Sequence, residues 1–204
     1  YEHTGIILVE GIPESLTRLI KQFTTLPGIG KKTAERLAVY ILKSSKSKAL
    51  EFSESIENVK NNISIDEDSF CFKENDSTIN DMKNRDKNIL CIVKDSTEVF
   101  LIEKSGYRGH YHVLNGLISP LDGVSAEDLN IDSLLNKAQN YNEIIIAVDP
   151  TAEGDITTQY LVKVLKNFNI NLTRLARGIP VGLSFDYLDE ITLTHSIEDR
   201  VKIK

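Results

Sequence analysis

Cysteine is almost missing from this chain of 204 residues, with Cys71 and Cys91 its two representatives. Two thiols exclude the dense disulfide framework that holds small secreted domains, and a reducing, cytoplasmic setting fits such usage. Long hydrophobic runs are missing as well. Nothing approaches the roughly 18 to 20 apolar residues of a membrane helix, Ile6 to Val9 is far too short, and no signal-peptide pattern is expected. A positive surplus is also lacking: the net charge is −6 at pH 7, so the chain as a whole should repel nucleic acid. No Gly-x-x-x-x-Gly-Lys-Ser/Thr loop occurs, which argues against nucleotide hydrolysis. What remains, 41% hydrophobic and 26% charged residues, is the make-up of an ordinary globular protein of one large or two small domains.

Against the acidic total, residues 16–50 carry eight basic side chains (Arg18, Lys21, Lys31, Lys32, Arg36, Lys43, Lys46 and Lys48) and one acid, Glu35. An acidic protein can hold a polyanion if its positive charge is gathered on one surface, and this window gathers it. Within it Leu16, Leu19, Ile20 and Phe23 follow helical i, i+3, i+4, i+7 spacing, as do Ala34, Leu37, Ala38 and Ile41. Leu26-Pro27-Gly28-Ile29-Gly30 stands between the two sets, so the pattern predicts helix, tight turn, helix. Glycine accepts positive φ and the close approach of another backbone. Gly28 and Gly30 can therefore aim the free N–H groups of the second helix's first turn at an anion, where Lys31, Lys32 and Arg36 would add charge. Such a helix-hairpin-helix grips the sugar-phosphate backbone without reading base sequence. The plainer alternative is a helical hairpin whose glycines only close the turn.

Residues 13–62 read as helical, with a Ser/Lys-rich loop at 44–48 and a third helix marked by Leu50, Ser53, Ile56, Val59 and Ile63. Ser64 to Asn88 is polar and almost without apolar periodicity, the mark of a loop or a poorly packed insert. Beyond it, short apolar runs alternate with helix patterns: Ile89 to Val93, Val99 to Glu103, Tyr111 to Leu114, an amphipathic stretch at 131–140, Ile144 to Val148, a long helix pattern at 154–168, and Leu172 to Leu175. Continuous apolar runs suit strands buried on both faces, and alternation with helices implies a mostly parallel sheet. The expected fold class is α/β behind a helical N-terminal part. Residues 1–12 carry no readable role beyond a short strand or a flexible arm.

Asp149-Pro150-Thr151-Ala152-Glu153-Gly154-Asp155 follows the run 144–148 and precedes a helix. Open α/β sheets bind ligands outside the carboxyl ends of their strands, so Asp149, Glu153 and Asp155 form a candidate magnesium site. Acids in a first turn also stabilise a helix through its dipole, and the spacing alone allows that reading too. His110 and His112 share a face of one strand-like run without a third ligand nearby in sequence, which points to a structural or interface role.

The order and spacing of these motifs resemble the RecR family of bacterial recombination mediators. The resemblance runs from about Ser15 to Arg200 and is carried by Leu26 to Ala38, Gly109 to Gly123, Pro150 to Thr157, Gly178 to Gly182 and Phe185 to Leu193. It implies a helix-hairpin-helix (13–63), a small zinc finger (64–88), a Toprim α/β domain (89–178) and a C-terminal Walker-B-like segment (179–204). It implies DNA as partner, homo-dimeric or homo-tetrameric rings that encircle DNA, and RecO- or RecF-type mediators that help load recombinase onto gapped, single-strand-binding-protein-coated DNA. On that basis Lys31, Lys32 and Arg36 inherit phosphate contacts and Gly28 and Gly30 supply the turn, with Arg18 and Lys21 as weaker candidates.

Two departures from the family pattern stand out. The family's finger uses two Cys-x-x-Cys pairs ahead of an Arg-Asp, here Arg85-Asp86, yet between Ser64 and Arg85 only Cys71 remains. Tetrahedral structural zinc needs four N or S ligands, so no zinc is expected and the finger is degenerate. Cys91, inside the run 89–93, reads as a small core residue. Catalytic Toprim proteins place a glutamate at the end of the first strand; Lys94 stands here, and Thr151 breaks the Asp-x-Asp. Weak magnesium binding by Asp149, Glu153 and Asp155 remains open, but a partner-protein contact suits the patch better. Asp186, Asp189 and Glu190 match the Walker-B-like acids or, equally, a solvated helix start. The expectation is a non-enzymatic DNA clamp and scaffold in recombinational repair. The alternative is a magnesium-dependent Toprim nuclease or topoisomerase-like enzyme.

Overall fold

The computed structural model describes residues 11–202. The N-terminal strand or arm considered for residues 1–12 therefore lies, up to residue 10, outside the described residues. The chain divides after Asn62 into two compact units.

The first unit holds α1 (Glu14–Thr24), α2 (Lys31–Lys43) and α3 (Lys46–Asn62). Leu16, Leu19, Ile20 and Phe23 of α1 pack with Ala34, Leu37, Ala38 and Ile41 of α2, the two sets picked out by helical spacing. Ala34 and Ala38, one turn apart, are fully buried. Their methyl side chains let the helices close together, and larger residues would overpack the seam. No residue of α3 is buried, and Leu50, Phe52, Ile56 and Val59 leave an apolar face exposed.

The second unit is built on a four-stranded parallel sheet ordered β5-β4-β6-β7, from β4 (Asp86–Val93), β5 (Gly109–Val113), β6 (Glu143–Ile146) and β7 (Asn171–Arg174). Alternate residues of each strand enter opposite cores. Leu90, Ile92, Ile144 and Ile146 pack with Leu134 and Ala138 of α5 (Ile131–Ala138) and Leu161 and Leu165 of α6 (Ala152–Leu165). Cys91, Val93, Tyr111, Val113 and Ala147 pack on the other side with Val99 of α4 (Ser96–Glu103). Two-sided burial is why the strands read as unbroken apolar runs. The run Val99 to Glu103 is helix: it belongs to α4, which Asp95 caps by accepting the Thr97 N–H at 2.8 Å. A last helix, α7 (Glu190–Glu198), follows the sheet.

The segment from Ser64 to Asn88 is not a loop or a poorly packed insert. It forms a three-stranded antiparallel sheet, β1 (Ile63–Ile65), β2 (Phe72–Glu74) and β3 (Ser77–Thr78), and its last residues already belong to β4. Asn75 and Asp76, both at positive φ, make the two-residue turn between β2 and β3. The segment is buried through Ser69, Cys71, Thr78 and Arg85. Small and polar residues give no hydrophobic periodicity, so the pattern could not show this packing.

His110 and His112 are bound within the fold. His110 Nδ1 lies 3.2 Å from the Tyr141 hydroxyl, and His112 Nε2 lies 2.8 Å from the Asn130 carbonyl. Burial holds the fully enclosed His112 down to about 4. The unfolded chain takes up this proton near pH 6.5, so stability should fall by about 3 kcal/mol as pH drops from 6.5 to 4, then level off for this group. His112→Gln should flatten that part of the slope relative to the wild-type chain, as read by denaturant titrations across the window.

Candidate nucleic-acid interface

The turn between α1 and α2 is closed by its own backbone. Leu26 N–H donates to the Phe23 carbonyl at 3.2 Å, and Ile29 N–H to that of Leu26 at 3.1 Å. Ile29 anchors the turn in the hairpin core, while Leu26, Pro27, Gly28 and Gly30 are exposed. Gly28 sits at φ 76°, a conformation that costs other residues about 1 to 2 kcal/mol. Gly28→Ala should therefore lower stability by about that amount in thermal denaturation. Gly30 differs: it is the N-cap of α2 at φ −77° and ψ 165°, a conformation open to any residue.

A Cβ built at Gly30 meets nothing within 4 Å, so no contact inside the unit requires glycine there. No side chain caps α2, and its first turn holds no acid. The helix thus presents uncapped N–H groups and the positive end of its dipole to solvent. Lys31, Lys32 and Arg36 are exposed on α2, and Arg18 and Lys21 on α1, with Lys21 in the turn next to the elbow.

The acidic loop of the second unit is arranged differently. Lys94 directly follows β4, and its Nζ lies 2.7 Å from Asp149 Oδ2 and 3.5 Å from Glu98 Oε1. The hydrogen bond to Asp149 holds the ammonium above its ordinary pKa. Asp155 is gripped by the guanidinium of Arg177, which holds its carboxyl below the usual range. Glu153 has no ion pair among the described residues. Thr151 caps α6 by accepting the Gly154 N–H at 3.1 Å. A Cβ at Gly154 would fall 1.9 Å from the Asp149 carbonyl oxygen, so the loop needs that glycine for close packing.

The three acids therefore do not converge: one meets an ammonium, one a guanidinium, and one neither. Among the described residues no group of three His, Cys, Asp or Glu side chains could hold a metal ion. The residues present do not fit the magnesium that a Toprim fold implies. Asp189 caps α7 by accepting the Thr192 N–H at 2.8 Å, the helix-start reading of the Walker-B-like acids. Sequence reading missed Arg177, and placed Arg85 only as a motif residue without its pairing, in which the guanidinium meets both oxygens of Glu103 at 2.7 Å. Their partners lie 22 and 18 residues away, beyond any local pattern.

A glycine-turned helical hairpin, a small antiparallel insert and a parallel α/β sheet with an acidic loop after β6 define the class: a helix-hairpin-helix protein carrying a Toprim domain. Family models divide the chain the same way, with a RecR helix-hairpin-helix over residues 16–60, a Toprim domain over 88–176 and a RecR C-terminal region over 178–201. Among curated relatives, the recombination protein RecR of Syntrophotalea carbinolica is 40% identical over 191 residues, covering 91% of this chain and 96% of the relative. That of Chloroherpeton thalassium is 39% identical over 197 residues, covering 91% and 95%. That of Staphylococcus saprophyticus is 39% identical over 195 residues, covering 94% and 98%. The chain belongs to the RecR family. Among the described residues no helix is long and apolar enough to cross a membrane.

Proposed function

We propose that this protein is a non-catalytic DNA clamp and scaffold of recombinational repair, working with RecO- or RecF-type mediators to load recombinase onto gapped or single-stranded DNA. The observation that carries the reading is the elbow: exposed, without a side-chain cap, flanked by Lys31, Lys32 and Arg36, and opening α2 at Gly30, a glycine that no internal contact demands. Phosphate oxygens fit such a place, and a backbone phosphate is the same for every base sequence. Self-association into a dimer or tetramer is supported by the uncovered apolar face of α3, where Phe52, Ile56 and Val59 are 46%, 54% and 55% exposed. Several copies would bring their hairpins to one strand and bind by multivalency.

Gly30→Ser tests the reading by sending two observables in opposite directions. Serine at an N-cap of this geometry should hold stability or raise it by about a few tenths of a kcal/mol. The same side chain occupies an N–H group and the space a phosphate would enter, so DNA affinity by fluorescence anisotropy should fall. Retained affinity would move the contact elsewhere.

The nuclease alternative is disfavoured by Lys94, whose ammonium sits on Asp149 where a divalent cation would have to bind. Supercoiled and single-stranded DNA incubated with the protein and magnesium should remain intact. Cleavage that Asp149→Ala abolishes would overturn the non-catalytic assignment.

A further inference from the structure

We infer that the insert Ile63–Arg85 folds without zinc, its two loops being closed by the carboxylates of Asp66 and Asp81. Structural zinc sites are built from thiolates and imidazoles in a set of four. Cys71 is the one cysteine of this segment, and it is 1% exposed in an apolar cluster with Cys91, Val93, Val99, Tyr111 and Val113. That burial pushes its thiol up to about 11, away from the thiolate that a metal ligand must be. Among the described residues it belongs to no group of three or more His, Cys, Asp or Glu side chains that could hold a metal ion.

What closes the first loop is one carboxylate serving three donors. Asp66 Oδ2 accepts the Ser69 N–H and the Ser69 hydroxyl, each at 2.7 Å, and the Asp68 N–H at 3.3 Å. The backbone locks the same span: Phe70 N–H donates to the Asp66 carbonyl at 3.0 Å, and Asp66 N–H to that of Cys71 at 2.9 Å. In the second loop Asp81 Oδ2 accepts the Thr78 N–H at 2.7 Å and the Thr78 hydroxyl at 3.0 Å. Charge-assisted bonds of this kind are the stronger class.

A zinc ion would tie such loops to each other, whereas here each is tied to the main sheet. Ser69 accepts the Val113 N–H at 2.9 Å, and the Asp68 carbonyl accepts Lys137 Nζ at 2.6 Å and the Ser133 hydroxyl at 2.9 Å. Asn80 exchanges two bonds with the Tyr111 backbone, at 2.9 and 2.8 Å. Loop closure and anchoring are thus both complete with protein groups alone.

The test uses the full chain. Metal content by mass spectrometry should be substoichiometric, and a chelator should leave hydrogen exchange across residues 63–81 unchanged. Cys71→Val should also leave it unchanged, whereas Asp66→Asn should speed exchange across 66–71 by about tenfold or more. Should Asp66→Asn fail to fold, Asp81→Asn reads the second loop in the same way, and the metal content of the wild-type protein decides without any variant. One zinc per chain, or chelator-induced loss of protection in 63–81, would overturn the inference. So would Cys71→Val losing protection while the aspartate variants keep it.

Discussion

Reversing two charges with Lys31→Glu and Lys32→Glu is expected to lower DNA affinity by on the order of 100-fold at low salt. Affinity for duplex DNA falls with salt because lysine and arginine release counterions condensed on phosphates, with a logarithmic slope of about 0.9 per contact. Removing two contacts should therefore flatten the slope by about two, uniformly across sequences, which a series of anisotropy titrations from low to moderate salt would show. Thermal stability should hold or rise by about 1 kcal/mol, since both lysines are exposed, neither forms an ion pair among the described residues, and carboxylates in the first turn of α2 suit its dipole. An unchanged slope would remove these lysines from the phosphate contact.

Arg85→Ala is expected to produce the largest loss of stability. The Arg85 side chain is only 2% exposed. It meets both oxygens of Glu103, reaches the carbonyls of Tyr107 and Gly109 at 3.3 Å, and lies 5.6 Å from the centre of the Tyr111 ring. The Tyr111 hydroxyl in turn donates to Glu103 at 2.7 Å. Truncating the arginine leaves the part-exposed carboxylate with the Tyr111 hydroxyl and with Arg108, 3.9 Å away, so the loss should sit at the lower end of the range for a broken buried pair, about 3 kcal/mol, or roughly 10 °C in melting temperature for a chain of this size.

The hydrogen bond from Arg85 holds the Glu103 carboxyl below its ordinary value. A depressed carboxylate contributes stability that is present above its unfolded pKa, near 4.5, and is lost as pH falls through the folded one. Arg85→Ala should erase this component of the acid sensitivity. Arg85→Lys should recover only part of the loss, because an ammonium cannot match both oxygens at once. Denaturant titrations at neutral and acid pH check both expectations.

What could be read from the sequence was local. The elbow is legible because helical spacing on both sides and two glycines between them occupy adjacent residues. The main sheet is legible because burial on two faces leaves runs such as Ile144 to Val148 unbroken. The zinc departure needs only a count of cysteines. The insert's order was not legible, since it depends on Asp66, Thr78 and Asn80, polar residues that look alike in a loop and in a hydrogen-bonded knot. The run Val99 to Glu103 is too short for its spacing to distinguish helix from strand.

The state of the acidic loop was half legible. Lys94 could be seen to replace a carboxylate, but its bond to Asp149, 55 residues away, needs the parallel register of β4 and β6. That Arg177 neutralises Asp155 depends likewise on where the chain runs after β7.

DNA binding at the elbow rests on a handful of amide hydrogens. The most direct measurement is an amide nitrogen–proton NMR titration of the full chain with a short single-stranded oligonucleotide, compared with an unrelated sequence of the same length. The largest shifts should fall on Gly30, Lys31 and Lys32, match between the two oligonucleotides, and leave the amides around Asp149 in place. Shifts gathered around Asp149, with those of Gly30 to Lys32 unmoved, would contradict it.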